Sequence, residues 1–267
     1  SGLTNDISSD FWRLYGGVTT LYGNLCWPAG LEAVRLTLGE VMHNAPWDLA
    51  NAGLIILWGK NPAETNVQEF IHIDKALKNG GKLVVIDPRR TPTADKADLL
   101  LRPLPGTDAA LALAIAGLLI KEGHTDTKFI SEHVSGFEEF ARSLTMTPEE
   151  AAAITGIPEE AVRMLAGMIA SAPSVTLVAG YGLQRYSNGG QTIRALLSLM
   201  VITGNIGRKG CGFNYANLQS YIFDSIKEPL SYYPDLKSDA PFRRKISMAQ
   251  FALHFSEIHN PEIKFIW

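Results

Sequence analysis

Only two cysteines, Cys26 and Cys211, occur in 267 residues. Two thiols cannot build a disulfide framework, and no C-x-x-C spacing offers a zinc or iron–sulfur site. Either residue fits the ordinary role of a small buried apolar side chain. Net charge is also scarce. A formal charge of −3 gives no electrostatic reason to expect nucleic acid or an anionic membrane surface as a partner. No uninterrupted apolar run approaches the ~18 residues of a membrane span, so no direct membrane insertion is expected. The G-x-S-x-G nucleophile elbow is missing. The G-x-G-x-x-G fingerprint is absent after the first apolar strand, which disfavours an ordinary NAD site. His43, His72, His124, His133, His254 and His259 show no metal-ligand spacing. The chain starts Ser1-Gly2-Leu3 without Met and stops at Ile263–Trp267, a strand-like run with no closing turn. A piece of a longer protein is expected. The compartment, cytoplasmic or exported, stays open because a signal region could precede Ser1.

What is present is an α/β pattern. Hydrophobic residues make up 46% and charged residues 19% of the chain, enough for one large α/β domain or two modest ones. The runs Leu54–Trp58 and Lys82–Ile86 are short, apolar and closed by Gly, Asn, Asp or Pro, as buried parallel strands are. Between them, Glu64–Asn79 reads as one helix with Phe70, Ile71, Ile73, Ala76 and Leu77 on its apolar face, ended by Gly80-Gly81. A third run, Leu99–Leu101, precedes Pro105-Gly-Thr-Asp108. There Thr107 or Asp108 can cap a very apolar helix over 109–121. A fourth strand is expected over Ser174–Ala179, followed by Gly180-Tyr-Gly182, a helix over 192–203 and the Gly-dense loop 204–212. Further helices are expected over 29–42, through 122–172 and over 247–255. Thr147-Pro-Glu-Glu150 and Ile157-Pro-Glu-Glu160 read as helix starts rather than catalytic carboxylate pairs. A strand is expected at 263–267, and a loop over 229–241. Residues 1–25 read as a leading segment without a strong element.

Three strand ends carry candidate chemistry: Gly59–Pro62, Asp87–Arg90 and Gly180–Gly182. In open α/β sheets ligands bind at the carboxyl ends of the strands. Glycine lets a backbone approach a ligand, and free N–H groups at following helix starts suit phosphate. Asp87 can accept from a ribose hydroxyl or a base N–H. Arg89 or Arg90 can neutralise phosphate or stack on a base. Together these features suggest a nucleotide, although any doubly wound domain needs turns at these places.

In order, WGKNPAET at Trp58–Thr65, IDPRRT at Ile86–Thr91 with Ala97-Asp98, PGTDAAL at Pro105–Leu111, GLQR at Gly182–Arg185 and TGNIG at Thr203–Gly207 resemble the molybdopterin oxidoreductases of the dimethyl sulfoxide reductase family. The series covers roughly residues 20–215. The resemblance implies the central fragment of a catalytic subunit. Its fold would be a Rossmann-like three-layer αβα domain with a mostly parallel sheet over 26–213. Residues 214–267 would be part of a second α/β domain, cut short. The implied cofactor is molybdenum or tungsten held by two molybdopterin guanine dinucleotides in the full-length protein, with an iron–sulfur cluster in an N-terminal part not included here. On this resemblance Trp58, Gly59, Lys60, Asn61, Pro62, Glu64 and Thr65 line the dinucleotide near its phosphates. Ile86, Asp87, Pro88, Arg89 and Arg90 meet the guanosine end, and Gly106, Thr107 and Asp108 select guanine. Gly180, Tyr181, Gly182, Gln184 and Arg185 approach the pterin. Cys26 falls at the position of the metal-ligating, catalytic residue, and a thiolate suits a soft, high-valent metal. Trp27 and Asn214–Asn217 stand where formate dehydrogenases carry a His and an Arg, so formate oxidation is disfavoured. Gln184-Arg185 is closer to the sulfoxide and polysulfide branch. The expected activity is two-electron redox or oxygen-atom transfer on a small-molecule substrate, with the cofactor supplying the chemistry. The expected partners are the missing domains of the same chain and an iron–sulfur electron-transfer subunit. The 267 residues alone are expected to be inactive. Two other readings remain: a Rossmann-like nucleotide-binding module of another class, and a cofactor-free structural paralogue.

Overall fold

The computed structural model describes residues 7–15, 18–215, 243–259 and 262–266. In chain order these form α1 (Ile7–Tyr15), β1 (Val18–Tyr22), α2 (Pro28–Leu38), β2 (Leu54–Trp58), α3 (Pro62–Thr65), α4 (Val67–Lys78), β3 (Lys82–Ile86) and β4 (Leu99–Leu101). There follow α5 (Asp108–Lys121), α6 (Thr127–His133), α7 (Phe137–Ser143), α8 (Pro148–Thr155), α9 (Glu159–Ser171), β5 (Val175–Ala179), α10 (Gly189–Ile202), β6 (Gly212–Asn214), β7 (Arg243–Ser247) and α11 (Phe251–Phe255). The chain divides into two compact units, residues 29–217 and residues 1–28 with 218–267.

The larger unit is built on a five-stranded sheet in the order β4-β3-β2-β5-β6. Every pairing in it is parallel, with Leu54 opposite both Lys82 and Val175. All five residues of β2 and of β5 are buried, as expected where a parallel sheet is covered on both faces. Leu54, Ile56 and Trp58 face one core with α5, α9 and α10, while Ile55 and Leu57 face another with Leu49, Ile73 and Ala76 of the 46–51 turn and α4. Truncating one of these aliphatic residues to Ala should cost ~2–5 kcal/mol. The three-layer α/β fold expected from the sequence is therefore the fold found.

Local boundaries differ in instructive ways. The single helix expected over Glu64–Asn79 is broken at Asn66, which sits at φ −156° and caps α4 by accepting from the Glu69 N–H at 3.2 Å. An Asn side chain that satisfies orphan amides at a helix start favours such a break. The helix expected over 29–42 stops at Leu38, and Gly39 follows at φ 84°. That over 192–203 starts three residues early, at Gly189. Thr147 and Glu150 form the reciprocal capping box read from the sequence. Thr107 takes the N-cap position of α5, but its hydroxyl donates back to Leu104 O at 2.6 Å instead of capping.

In the smaller unit β1 and β7 pair in parallel, with Val18 opposite Arg243 and Tyr22 opposite Ser247. Trp12 packs on Phe265 at 5.5 Å between ring centroids. Residues 1–25, read as lacking a strong element, thus hold α1 and β1. Residues 263–266 form no strand, so the terminal strand expected there is corrected; the apolar run has no strand partner among the described residues. The final helix is shorter than expected, opening as a 3-10 turn at Met248–Gln250 before α11. The loop expected over 229–241 lies outside the described residues. Among the described residues no helix is long and apolar enough to cross a membrane.

Candidate functional site: a cleft at the switch in strand order

From β2 the chain moves outward through β3 and β4, then returns to the other side of β2 with β5 and β6. The carboxyl ends of β2 and β5 therefore flank the switch point, where doubly wound sheets leave a crevice. The ladder runs on into the turns: Gly59 N–H donates to Ile86 O at 2.7 Å, Gly180 N–H to Trp58 O at 2.8 Å and Asp87 N–H to Leu101 O at 3.0 Å. A Cβ on Gly180 would lie 1.7 Å from the Gly59 carbonyl oxygen. That approach leaves no room for a side chain at position 180, while Gly59 sits at φ 62°, a left-handed conformation that favours glycine. A cleft of about 520 Å³ opens there, lined by Gly59, Lys60, Asn61, Glu64, Thr65, Asn66, Asp87, Arg89, Thr91, Gly180 and Tyr181.

The first wall is held by side-chain bonds. Asn61 accepts from Thr93 Oγ1 at 2.6 Å and donates to Glu64. Thr93 also accepts from the Ala63 N–H at 3.1 Å and is fully buried. Lys60 is paired with Glu69 at 3.3 Å, both largely buried. On the second wall the Arg89 N–H donates to Asp87 Oδ1 at 2.8 Å, which fixes the turn after β3. Arg90 points to a surface pair with Asp95 at 2.9 Å. Pro88 accepts from Arg102 Nε at 3.1 Å through its carbonyl.

Nine of the residues expected at the site line the cleft; Asn66 and Thr91 line it without having been singled out. Asn66 had a signal, as a strong capping residue near the start of an otherwise helical stretch. Thr91 closes the IDPRRT motif, and the supporting Thr93 had no signal. Pro62 and Ile86 are buried. Trp58 is 0% exposed and belongs to the core; its indole Nε1–H donates to Asp108 Oδ1 at 2.8 Å. Burial pushes the Asp108 carboxyl above its usual range, and the nearby Asp87 charge adds to this, while the Trp58 indole and the backbone N–H groups of Asp108 and Gly106 pull the other way. Gly106, at φ 86°, packs against the Tyr186 ring. Gly182 has open space around it. Gln184 is buried. Cys26 belongs to the smaller unit, is half-buried, and its N–H donates to Asn24 Oδ1 at 2.6 Å. Among the described residues no group of three His, Cys, Asp or Glu side chains could hold a metal ion.

Fold and cleft together define a doubly wound α/β protein whose crevice opens at the switch point of the sheet. The family model for molybdopterin oxidoreductases matches residues 8–266, and the chain belongs to that family. It is 37% identical over its full length to a probable oxidoreductase, YyaE, of Bacillus subtilis, of which it covers 39%. It is 36% identical to a probable dimethyl sulfoxide reductase chain, YnfF, of Escherichia coli, over 73% of this chain and 27% of that one. Formate dehydrogenase H of Escherichia coli is 34% identical over 65% of this chain and 24% of its own length. Among solved structures, acetylene hydratase from Pelobacter acetylenicus superposes with a TM-score of 0.65 at 31% identity, over 70% of this chain and 26% of that one. The chain thus spans 39% or less of the length of these relatives.

Proposed function

We propose that the larger unit binds one molybdopterin guanine dinucleotide in this cleft, as part of a molybdenum- or tungsten-dependent oxidoreductase. The observation that carries the reading is the contact of Gly180 with Gly59, which keeps side chains off that part of a cleft also lined by Lys60 and Arg89. A pyrophosphate needs such close backbone approach and positive charge. The residues present fit the group at its other end too. Asp87 lines the cleft, and a carboxylate such as that of Asp108 has about four lone-pair sites. Asp108 can therefore serve the Trp58 indole and still accept from the N1–H and amino group of guanine.

Bound, the pterin-held metal supplies two-electron redox or oxygen-atom transfer chemistry. The chain's own residues bind and orient it. Lys60 and Arg89 offset the pyrophosphate charge, Asn61 and Thr93 hold the 59–66 turn rigid, and Gly180–Gly182 admit the pterin side. Cys26 would be the thiolate ligand. A second dinucleotide and an electron route would come from other parts of the protein and its partner subunits.

The test is metal and nucleotide analysis of the full-length protein expressed anaerobically. Molybdenum or tungsten, with GMP released on acid hydrolysis, supports the reading. Loss of GMP in Arg89→Ala, with metal-free protein still folded, ties it to this cleft. Protein with neither metal nor GMP would overturn it in favour of a cofactor-free paralogue.

A further inference from the structure

Lys60 lines the cleft as a cation, yet its Nζ lies 3.3 Å from Oε2 of Glu69, in the first turn of α4. Glu69 is not one of the lining residues, and its side chain is only 10% exposed. A carboxylate buried to that degree is costly unless a cation and hydrogen bonds compensate it. Lys60 supplies the cation. Asn66 supplies a hydrogen bond, its Nδ2 donating at 3.1 Å to the same Oε2. The Glu69 backbone N–H donates in return to Asn66 Oδ1 at 3.2 Å. The break at Asn66 thus sets the first turn of α4 so that its carboxylate meets the turn after β2.

A lysine stem is flexible, and ordering it on a ligand costs binding free energy. The pair with Glu69 orders the ammonium in advance, while the Lys60 side chain keeps 23% exposure. An ammonium has three N–H donors, so it can keep one toward Glu69 and offer the others to phosphate oxygens. Protein kinases use the same device, a helix glutamate that must be in place on a strand lysine serving the phosphates.

We propose that Glu69 is a positioning residue for Lys60. It holds the ammonium at the cleft wall, where the diphosphate of the bound nucleotide takes its remaining donors. The inference rests on the reading of this cleft as a dinucleotide site. It extends that site to a residue of α4 that does not line the cleft and lies outside the motifs Trp58–Thr65 and Ile86–Thr91.

The full-length protein, produced without cofactor, tests this as wild type, Glu69→Gln, Lys60→Met and the double variant. Calorimetric titration with GDP, which carries guanosine and a diphosphate, reads binding, and thermal unfolding reads the pair itself. Glu69→Gln keeps the side-chain length and an acceptor for Asn66 Nδ2 but removes the charge. It should weaken GDP roughly threefold to tenfold, the effect of leaving one long side chain to be ordered on binding. Lys60→Met should weaken GDP at least as much. Adding Glu69→Gln to Lys60→Met should change GDP affinity by less than about twofold, because coupled partners are not additive. Both single variants should melt below wild type, and the double variant by less than the sum of their shifts. Should Glu69→Gln not fold, Glu69→Asp, which withdraws the carboxylate from Lys60, carries the same comparison. GDP affinity retained in Glu69→Gln, or lost equally with and without Lys60, refutes the positioning role. Tighter GDP binding by Glu69→Gln also refutes it, and would make Glu69 a competitor for the ammonium. Additive melting shifts refute the pair. Wild-type protein that does not bind GDP, with the melting shifts still coupled, would overturn the proposed function and leave the pair to stability alone.

Discussion

Asp108 faces two demands, and two substitutions separate them. Asp108→Ala leaves the Trp58 indole N–H, now bonded at 2.8 Å, without an acceptor in a site where Trp58 is 0% exposed. An orphaned buried donor costs about 1–3 kcal/mol. Losing an acid from the first turn of α5 adds roughly 0.3–1 kcal/mol. Relief from holding a carboxylate in a buried place, where its pKa is raised, opposes both. Asp108→Asn keeps an acceptor for the indole and gives the same relief. The Ala variant should therefore be less stable than the Asn variant by about 1–2 kcal/mol, or roughly 2–8 °C in melting temperature for a chain of this size. The pH dependence has a definite sign. Because the folded pKa of Asp108 lies above its ordinary value of 3.8, its favourable contribution is complete below that value and is lost as pH rises through the folded one. Wild type should gain on the Asn variant as pH is lowered from neutral. Thermal and urea unfolding of the three proteins at a series of pH values measures both effects. An Ala variant as stable as the Asn variant at every pH would refute the account of the buried bond. In the full-length protein both variants should lose GMP, since an Asn amide turns an N–H toward the guanine N1–H; GMP retained by Asp108→Asn would remove Asp108 from guanine recognition.

Gly180→Ala should abolish folded protein or cost about 3 kcal/mol through overpacking, since its methyl would overlap the Gly59 carbonyl; Gly182→Ala, with open space around it, should stay within about 0.5 kcal/mol of wild type, and a Gly180→Ala protein that melts with wild type would refute the close contact. Thr93→Val removes the hydroxyl that joins Asn61 to Ala63, so it should cost about 1–3 kcal/mol and speed hydrogen exchange across 59–66; a turn as protected as wild type would show that the hydroxyl does not hold it. The Asp98 carboxyl is pushed up by burial but pulled further down by the Leu83 N–H and Lys82. Its stabilising effect is therefore present above its ordinary value and lost as pH falls through the lower folded one, and the stability gap to Asp98→Ala should close in acid, as chemical unfolding would read.

The strands β2, β3 and β5 were legible because each is short, largely apolar and bounded by turn residues, a pattern that suits burial on both faces. The same punctuation put Gly59, Asp87 and Gly180 at strand ends, and with them most of the cleft. Helix ends were less legible. Asn66 breaks an apolar periodicity that runs through it, and α10 starts ahead of its first apolar residue pair. The side on which a strand residue lands was not legible at all for Trp58, whose motif suggests a cleft residue and whose indole lies in the core with Asp108, fifty positions away. Local order in the chain determined the elements and the turns between them, since capping, turn geometry and apolar periodicity act over a few residues. The pairing of β2 with β5 and the contact of Gly180 with Gly59 join residues more than 100 positions apart. Only the packed sheet and its helices decided these, because such contacts form when the distant backbones are brought together and water is excluded between them.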